Sequence, residues 1–297
     1  MTDRIYKPKQ SITITTYHEL RSFIQSFAEG KLNQVILVGP AGVAKSQTAR
    51  EAVGRDACWI EGNATSFGIY QALYKHRDAP VVIDDVDSLY SDRAAVRLLK
   101  CVCQTDPVKK VAWHSNAASL TSDGTPREFN TTSRVLIIAN DWKSLDANVA
   151  AVQDRGHLVF FEPTADEVHF AVAQWFDDQA IYDWFADHLH LIPEPSMRNY
   201  IKAKELKECG MDWVKVLLSD IVSEKALLVA KIRGDARYAT EGDRVKAFTD
   251  AGGGGQTTWY KWSKRMRAPG ETHHLKPLLP NARPKLHLYD DRRVSGA

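Results

Sequence analysis

A glycine-bounded loop that ends in lysine and serine carries the clearest chemistry in the sequence. The loop, Gly-Pro-Ala-Gly-Val-Ala-Lys-Ser at residues 39–46, follows an apolar run at residues 35–38. Backbone N–H groups in such a loop, at the start of a helix, can surround phosphate oxygens. Lys45 would place a positive charge on the β- and γ-phosphates of a nucleotide, and the Ser46 hydroxyl would bind Mg²⁺. The predicted nucleotide contacts are Gly39, Pro40, Ala41, Gly42, Val43, Ala44, Lys45, Ser46 and Gln47.

Two acidic residues end a second apolar run, Val-Val-Ile-Asp-Asp at residues 81–85. Ligands of open α/β sheets bind at the carboxyl ends of the strands, where these acids would lie. We predict that Asp84 holds Mg²⁺ through water and that Asp85 orients an attacking water. Glutamate is usual at the second position, so the shorter Asp85 predicts slow hydrolysis. The alternative is a solvated acidic turn.

Three further polar residues stand where they could act on a phosphate. Asn140 follows an apolar run at residues 135–139 and could lie between the γ-phosphate and water, or form a turn. Arg155, just before the last apolar run, could stabilise transition-state charge on a neighbouring subunit's nucleotide, or bind helix-end carbonyls. Arg198, at a helix start, could clamp the γ-phosphate or be solvated.

Taken in this order, the five motifs resemble those of the AAA+ ATPase family over residues 17–235. They correspond to Walker A (residues 39–46), Walker B (residues 81–85), sensor 1 (Asn140), the arginine finger (Arg155) and sensor 2 (Arg198). The resemblance implies an ATP- and Mg²⁺-dependent ATPase that forms a homo-oligomeric ring or spiral with ATP at subunit interfaces. Ala44 departs from the usual glycine, but Ala-Lys-Ser or Ala-Lys-Thr endings occur in the MoxR-type and minichromosome-maintenance branches. We expect Ala44 to be tolerated if it keeps helical backbone angles.

The elements that must position these residues alternate between apolar strands and helices as far as Pro163, and only helical patterns follow. Continuous apolar strands separated by helices predict an α/β fold with a parallel sheet covered on both faces. Predicted helices span residues 17–28, 45–53, 67–76 and 93–104; predicted strands span residues 35–38, 58–61, 81–83, 108–114, 135–139 and 157–161. Predicted domains are an N-terminal arm (1–16), the α/β nucleotide-binding core (17–163), a helical lid (164–235), and a basic-aromatic helix with its tail (236–297).

The stretch at residues 109–133 is long for a connection within the core. It contains Lys109, Lys110, Trp113 and His114, and it could form a hairpin that grips a substrate in a central pore. The alternative is a surface excursion that packs on the helix below it.

The end of the chain is basic and aromatic. From residue 259 to residue 297 there are nine Lys or Arg and three acids, whereas the whole chain has a net charge of +2. Trp259, Trp262 and Met266 share one helical face. This pattern suits nucleic-acid binding by stacking and phosphate contact, or an amphipathic helix docked on the lid.

Four cysteines without a C-x-x-C pair indicate a reducing, cytoplasmic location, and no apolar run approaches the roughly 20 residues that span a bilayer. We therefore expect no membrane association. The favoured function is an ATPase that self-assembles and binds or remodels a macromolecule, with DNA preferred, in replication, helicase loading or transposition. A MoxR-like protein remodeller and a slow-hydrolysing, nucleotide-gated assembly module remain as alternatives.

Overall fold

A computed structural model of the chain describes residues 7–8, 10–86, 92–114, 124–141, 155–194, 196–266 and 272–280. The chain divides into two compact units, residues 1–167 and 168–297. The strands of the first unit are β1 (Ile12–Ile14), β2 (Gln34–Val38), β3 (Cys58–Glu61), β4 (Val81–Asp84), β5 (Lys109–Ala112), β6 (Glu128–Thr131), β7 (Val135–Ala139) and β8 (His157–Phe161). Its helices are α1 (Tyr17–Ala28), α2 (Lys45–Val53), α3 (Ser66–Lys75) and α4 (Arg93–Val102).

The first unit is built on a parallel sheet of six strands in the order β1-β8-β2-β7-β4-β3. Every residue of β2 and of β7 is buried, because both strands lie inside the sheet and are covered on both faces. The predicted α/β fold with a parallel sheet is confirmed. The register pairs Val38 with Ala139, so the P-loop (residues 39–46) and Asn140 leave the sheet side by side.

The sheet contains one strand that the sequence did not predict, and the predicted strand at residues 108–114 pairs outside this sheet, as β5 with β6. Ile12–Ile14, within the segment taken as an N-terminal arm, pairs in parallel with residues 159–161 of β8. Three residues are too few to show a strand pattern, and the strand is stabilised by its ladder to β8. Thr16 and Glu19 then form a capping box that begins α1. The predicted domain boundaries remain a prediction.

The hairpin predicted near residue 109 is present as the antiparallel pair β5–β6. Lys109 is buried, and its ammonium group donates to Asn33 Oδ1 at 2.8 Å and to the Ser133 carbonyl at 2.5 Å. Trp113 packs on the rings of Phe67 and Tyr70, at 5.8 Å in each case. The described part of the hairpin therefore packs on the core, as in the surface alternative, and residues 115–123 lie outside the described residues.

The second unit is helical where it is described, as predicted. Its helices are α5 (Ala165–Val172, which begins in the first unit), α6 (Gln179–His188), α7 (Met197–Glu208), α8 (Trp213–Asp220), α9 (Glu224–Gly234), α10 (Glu241–Asp250) and α11 (Gln256–Ser263). The side chain of Thr164 caps the start of α5 by accepting a hydrogen bond from the Glu167 N–H. No helix among the described residues has the length and apolarity to cross a lipid bilayer.

The tryptophans of α11 are buried within the second unit. Trp259 is 0% exposed, donates from Nε1 to Glu241 Oε1 at 2.7 Å, and packs on the ring of Phe248 at 5.5 Å. Trp262 is 6% exposed. Both indoles are therefore closed to base stacking, as the docked-helix alternative requires. The basic residues from 281 onward lie outside the described residues.

Candidate functional site

The backbone of the P-loop begins close to β8, and two of its later residues have left-handed backbone torsions. A Cβ atom on Gly39 would lie 2.5 Å from the backbone oxygen of Phe161, so the start of the loop admits glycine alone. Gly42 and Ala44 have φ angles of 75° and 59°, and Val43 between them is not left-handed. Alternation of this kind builds backbone nests in which N–H groups converge on an anion.

Ala44 does not meet the condition under which we expected alanine to be tolerated, which was helical backbone angles. Its φ of 59° and ψ of 24° are left-handed, at the residue that caps the start of α2. A left-handed conformation costs an L-residue about 1–2 kcal/mol because Cβ approaches the carbonyl oxygen. The condition fails because the nest, and not the helix that follows, sets the torsion at this position, and tolerance of the alanine stays a prediction.

Lys45 is the buried cation of the site, and it is 4% exposed. Its ammonium group donates to the carbonyl oxygens of Gly39 and Pro40, each at 2.8 Å, and to Asn140 Oδ1 at 3.0 Å. These contacts fix the positive charge inside the curve of the loop. Gln47, in the first turn of α2, is exposed and donates to Glu51 Oε1 at 3.1 Å.

Ser46 and Asp84 form the pair that was predicted to hold magnesium. The Ser46 hydroxyl donates to Asp84 Oδ1 at 2.9 Å, so two hard oxygen ligands meet at the carboxyl edge of the sheet. Mg²⁺ is commonly held by one or two such protein oxygens together with the phosphates of a substrate, and this pair fits that role. Burial raises the pKa of Asp84, and the nearby charges of Glu61 and Asp85 add to the increase, whereas the hydrogen bond from Ser46 opposes it.

Asp85 and Asn140 meet on the exposed side of the same edge. Asn140 Nδ2 donates to Asp85 Oδ2 at 2.9 Å, while its Oδ1 accepts from Lys45. Asp85 has a φ of 54°, a conformation that aspartate tolerates better than most residues. The amide of Asn140 thus connects the cation of the P-loop to the second acid of β4 in a single hydrogen-bonded series.

The order of the strands explains this convergence. β7, which delivers Asn140, lies between β2, which leads into the P-loop, and β4, which delivers both acids. The first unit therefore has a parallel α/β core that brings the P-loop, both acids and Asn140 to one edge of its sheet. Five of the predicted site residues are joined there by side-chain hydrogen bonds: Lys45, Ser46, Asp84, Asp85 and Asn140.

The two predicted arginines have other hydrogen-bond partners. Arg155 stands before β8, at the amino edge of the sheet, and its guanidinium donates to the Lys100 carbonyl at 2.7 Å in the last turn of α4. Arg198 is exposed in the first turn of α7, where its backbone N–H donates to Ser196 Oγ at 3.3 Å.

One contact to the P-loop has no signal in the sequence. Tyr17, the first residue of α1, donates from its hydroxyl to the Val43 carbonyl at 3.2 Å. No motif marks this tyrosine, since its spacing from the loop depends on how α1 packs beside α2.

Comparison with known proteins gives little beyond the fold. No protein-family model matches the chain. An uncharacterized 36.7 kDa protein in the nrdC-mobD intergenic region of Enterobacteria phage T4 is 29% identical over 120 residues. The alignment covers 37% of this chain and 37% of the phage protein, so the chain matches little more than a third of that relative.

Three solved structures to which the chain is similar span most of its length. They are NtrX from Brucella abortus in complex with ADP (13% identity, TM-score 0.48, 83% of this chain and 65% of that chain), Cdc6p from Pyrobaculum aerophilum (13%, 0.40, 87% and 86%) and a DNA replication initiation factor (12%, 0.39, 87% and 85%). At these identities and TM-scores the likeness carries no weight for function, and the site rests on the chain's own side chains.

Proposed function

We propose that the chain binds ATP with Mg²⁺ at residues 39–47 and hydrolyses it, and that copies of the chain assemble to use this reaction on a macromolecule. The observation that carries the proposal is the hydrogen-bonded series from Lys45 through Asn140 to Asp85, beside the pair of Ser46 and Asp84. Together these groups supply a buried cation, two magnesium ligands and a carboxylate that can orient water.

Each group has a distinct part in phosphoryl transfer, which depends mainly on positioning and on electrostatic stabilisation. Lys45 and the N–H groups of the nest neutralise negative charge on the phosphates. Asp85 accepts a hydrogen bond from the attacking water, and Asn140 holds that carboxylate in place. Ser46 and Asp84 would hold Mg²⁺, which would supply positive charge near the phosphates.

The position of Arg155 supports self-assembly. β8 has five residues and runs parallel to β2, so Arg155 lies about 15 Å from the edge that carries its own P-loop. Arg155 can therefore serve only the nucleotide of a neighbouring copy. To do so it must exchange or share its hydrogen bond to the Lys100 carbonyl.

Nucleic acid remains the favoured substrate, in a cytoplasmic setting, but the contacts differ from those the sequence suggested. Because Trp259 and Trp262 are buried, the contacts would come from Tyr260, which is 39% exposed, with the exposed Lys261 and Lys264. These three side chains line one shallow depression on α11, and an aromatic ring beside two ammonium groups suits a single-stranded nucleic acid.

A second candidate, a nucleotide-gated assembly module with slow turnover, is favoured by Asp85 itself. Its side chain is one methylene shorter than glutamate and is engaged by Asn140.

Phosphate release by the wild type, Asp85→Asn and Asp85→Glu tests the proposal and separates the two candidates. We expect Asp85→Asn to bind ATP as the wild type does but to turn over about 100-fold or more slowly, because it loses the base. A rate that rises in Asp85→Glu identifies the slow module. Wild-type turnover in Asp85→Asn would show that Asp85 has no part in hydrolysis.

A further inference from the structure

The hydroxyl group of Tyr17 reaches the P-loop from a neighbouring helix. Tyr17 is 5% exposed, and its ring packs edge-on against Phe161 at 5.2 Å. Its backbone N–H donates to Glu167 Oε2 at 3.3 Å. With both its backbone and its ring held, the hydroxyl has a fixed position from which it donates to the Val43 carbonyl.

The Val43 carbonyl belongs to the same planar peptide as the N–H of Ala44. In a trans peptide the C=O and N–H point in opposite directions, so a bond that holds the carbonyl also aims the N–H. Rotation of this plane is what changes φ of Ala44, which is 59°. Tyr17 therefore restrains the torsion that is strained.

The other side of Ala44 is held independently. Its carbonyl accepts from the backbone N–H of Thr48 at 2.9 Å and from the Thr48 hydroxyl at 2.9 Å, as α2 begins. The helix holds the Ala44–Lys45 peptide in place. Only a flip of the Val43–Ala44 peptide can therefore relieve the left-handed conformation of Ala44.

We propose that Tyr17 is a positioning residue that holds the Val43–Ala44 peptide in the phosphate-binding orientation, and that the chain needs it because residue 44 is alanine. The proposal rests on the proposed nucleotide binding. Burial, together with the charge of Glu167, raises the pKa of Tyr17, so the hydroxyl remains a donor throughout the neutral range.

A double-mutant cycle in the full chain, with Tyr17→Phe, Ala44→Gly and the double variant, tests this directly through ATP affinity. Phenylalanine keeps the ring against Phe161 and removes only the hydroxyl. We expect the Kd for Mg·ATP to rise about three- to tenfold in Tyr17→Phe. With glycine at 44 the flipped peptide is no longer favoured, so the same change should raise the Kd less than about twofold.

Tyr70→Phe is the matched control, because Tyr70 donates from a buried hydroxyl to the Pro126 carbonyl at 2.8 Å and packs against the β5–β6 hairpin. It should lose stability but keep wild-type affinity for ATP. The proposal would be overturned if Tyr17→Phe weakened ATP binding equally whether residue 44 is alanine or glycine. An unchanged Kd in Tyr17→Phe would overturn it as well.

Thermal unfolding without nucleotide tests the same coupling apart from the proposed function. We expect Ala44→Gly to raise the Tm by about 1–3 °C when residue 17 is tyrosine, and by less when it is phenylalanine. Coupled Tm values in a protein that binds no ATP would support the role of Tyr17 and reject the proposed function. Uncoupled Tm values in a protein that binds ATP would reject the role of Tyr17 and leave the proposed nucleotide binding in place.

Discussion

At the scale of single residues, the site holds its charges at a cost to stability. Lys45 is buried, Asp84 is partly buried, and Ala44 carries a left-handed backbone. The motif spacing predicted the convergence of Lys45, Ser46 and Asp84, because the carboxyl ends of parallel strands share one edge. The torsion of Ala44 could not be predicted, since it depends on contacts from α1 and from the loop itself.

Asp84→Asn should separate stability from metal binding. The folded-state pKa of Asp84 is raised, so burial of its charge destabilises the fold above that pKa, and this cost vanishes below the unfolded value of about 3.9. We expect the Tm of Asp84→Asn to equal or exceed that of the wild type near neutral pH, with the difference shrinking as the pH falls. Affinity for Mg²⁺ in the presence of ATP should drop about 10- to 100-fold.

Calorimetric scans across pH and magnesium titrations of ATP turnover measure the two effects. The exposed Asp56 provides the control, since Asp56→Asn should change neither. A Tm for Asp84→Asn well below that of the wild type near neutral pH would show that the carboxylate stabilises the fold.

At the scale of elements, local pattern was sufficient for helices and strands whose residue pattern is legible within the segment itself. α1, α2, β3, β7 and β8 have the bounds that were predicted. β1 escaped prediction because its pairing with β8 is a tertiary contact. The two adjacent lysines of β5 also could not be told apart from local pattern. Lys109 is buried in the core, whereas Lys110 forms a surface ion pair with Glu128 at 2.8 Å.

Lys109→Ala and Lys110→Ala test whether the hairpin is packed as described. Loss of the Lys109 ammonium leaves the acceptors of Asn33 and Ser133 without their donor, which should lower the free energy of unfolding by about 1–3 kcal/mol. Lys110→Ala should change it by less than about 0.5 kcal/mol. Chemical denaturation measures both, and equal effects would contradict the packing.

α11 divides into a structural face and a candidate nucleic-acid face. Trp259→Ala should lower the free energy of unfolding by about 3–5 kcal/mol, because it empties a buried site. Lys261→Ala with Lys264→Ala should leave stability unchanged and lower the salt dependence of single-stranded DNA binding by about one to two ion equivalents. Binding measured over a series of salt concentrations checks this, and an unchanged slope would remove α11 from the interface.

At the scale of the whole molecule, the role proposed for Arg155 requires a neighbouring copy. Mixing two inactive variants tests this. Lys45→Ala keeps Arg155 but lacks its own nucleotide, and Arg155→Ala binds nucleotide but lacks the arginine. We expect ATP turnover to return when the two are mixed, because each supplies what the other lacks.

Arg134→Ala is the matched control for Arg155→Ala, since Arg134 also donates to a backbone carbonyl, that of Ala28 at 3.2 Å. It should lose stability and keep turnover. Full turnover by Arg155→Ala alone would show that Arg155 has no part in hydrolysis and only donates a hydrogen bond to the Lys100 carbonyl.

Equilibrium binding of Mg·ATP to the full chain and to Lys45→Ala tests the central claim most directly, with the exposed Lys31→Ala as control. In the proposed function, the buried ammonium group of Lys45 provides the positive charge that binds the triphosphate. We predict that the wild type and Lys31→Ala bind equally, and that Lys45→Ala, folded by circular dichroism, binds at least about 100-fold more weakly. A wild type that binds no ATP, or a Lys45→Ala variant that binds it as tightly as the wild type, would contradict the account.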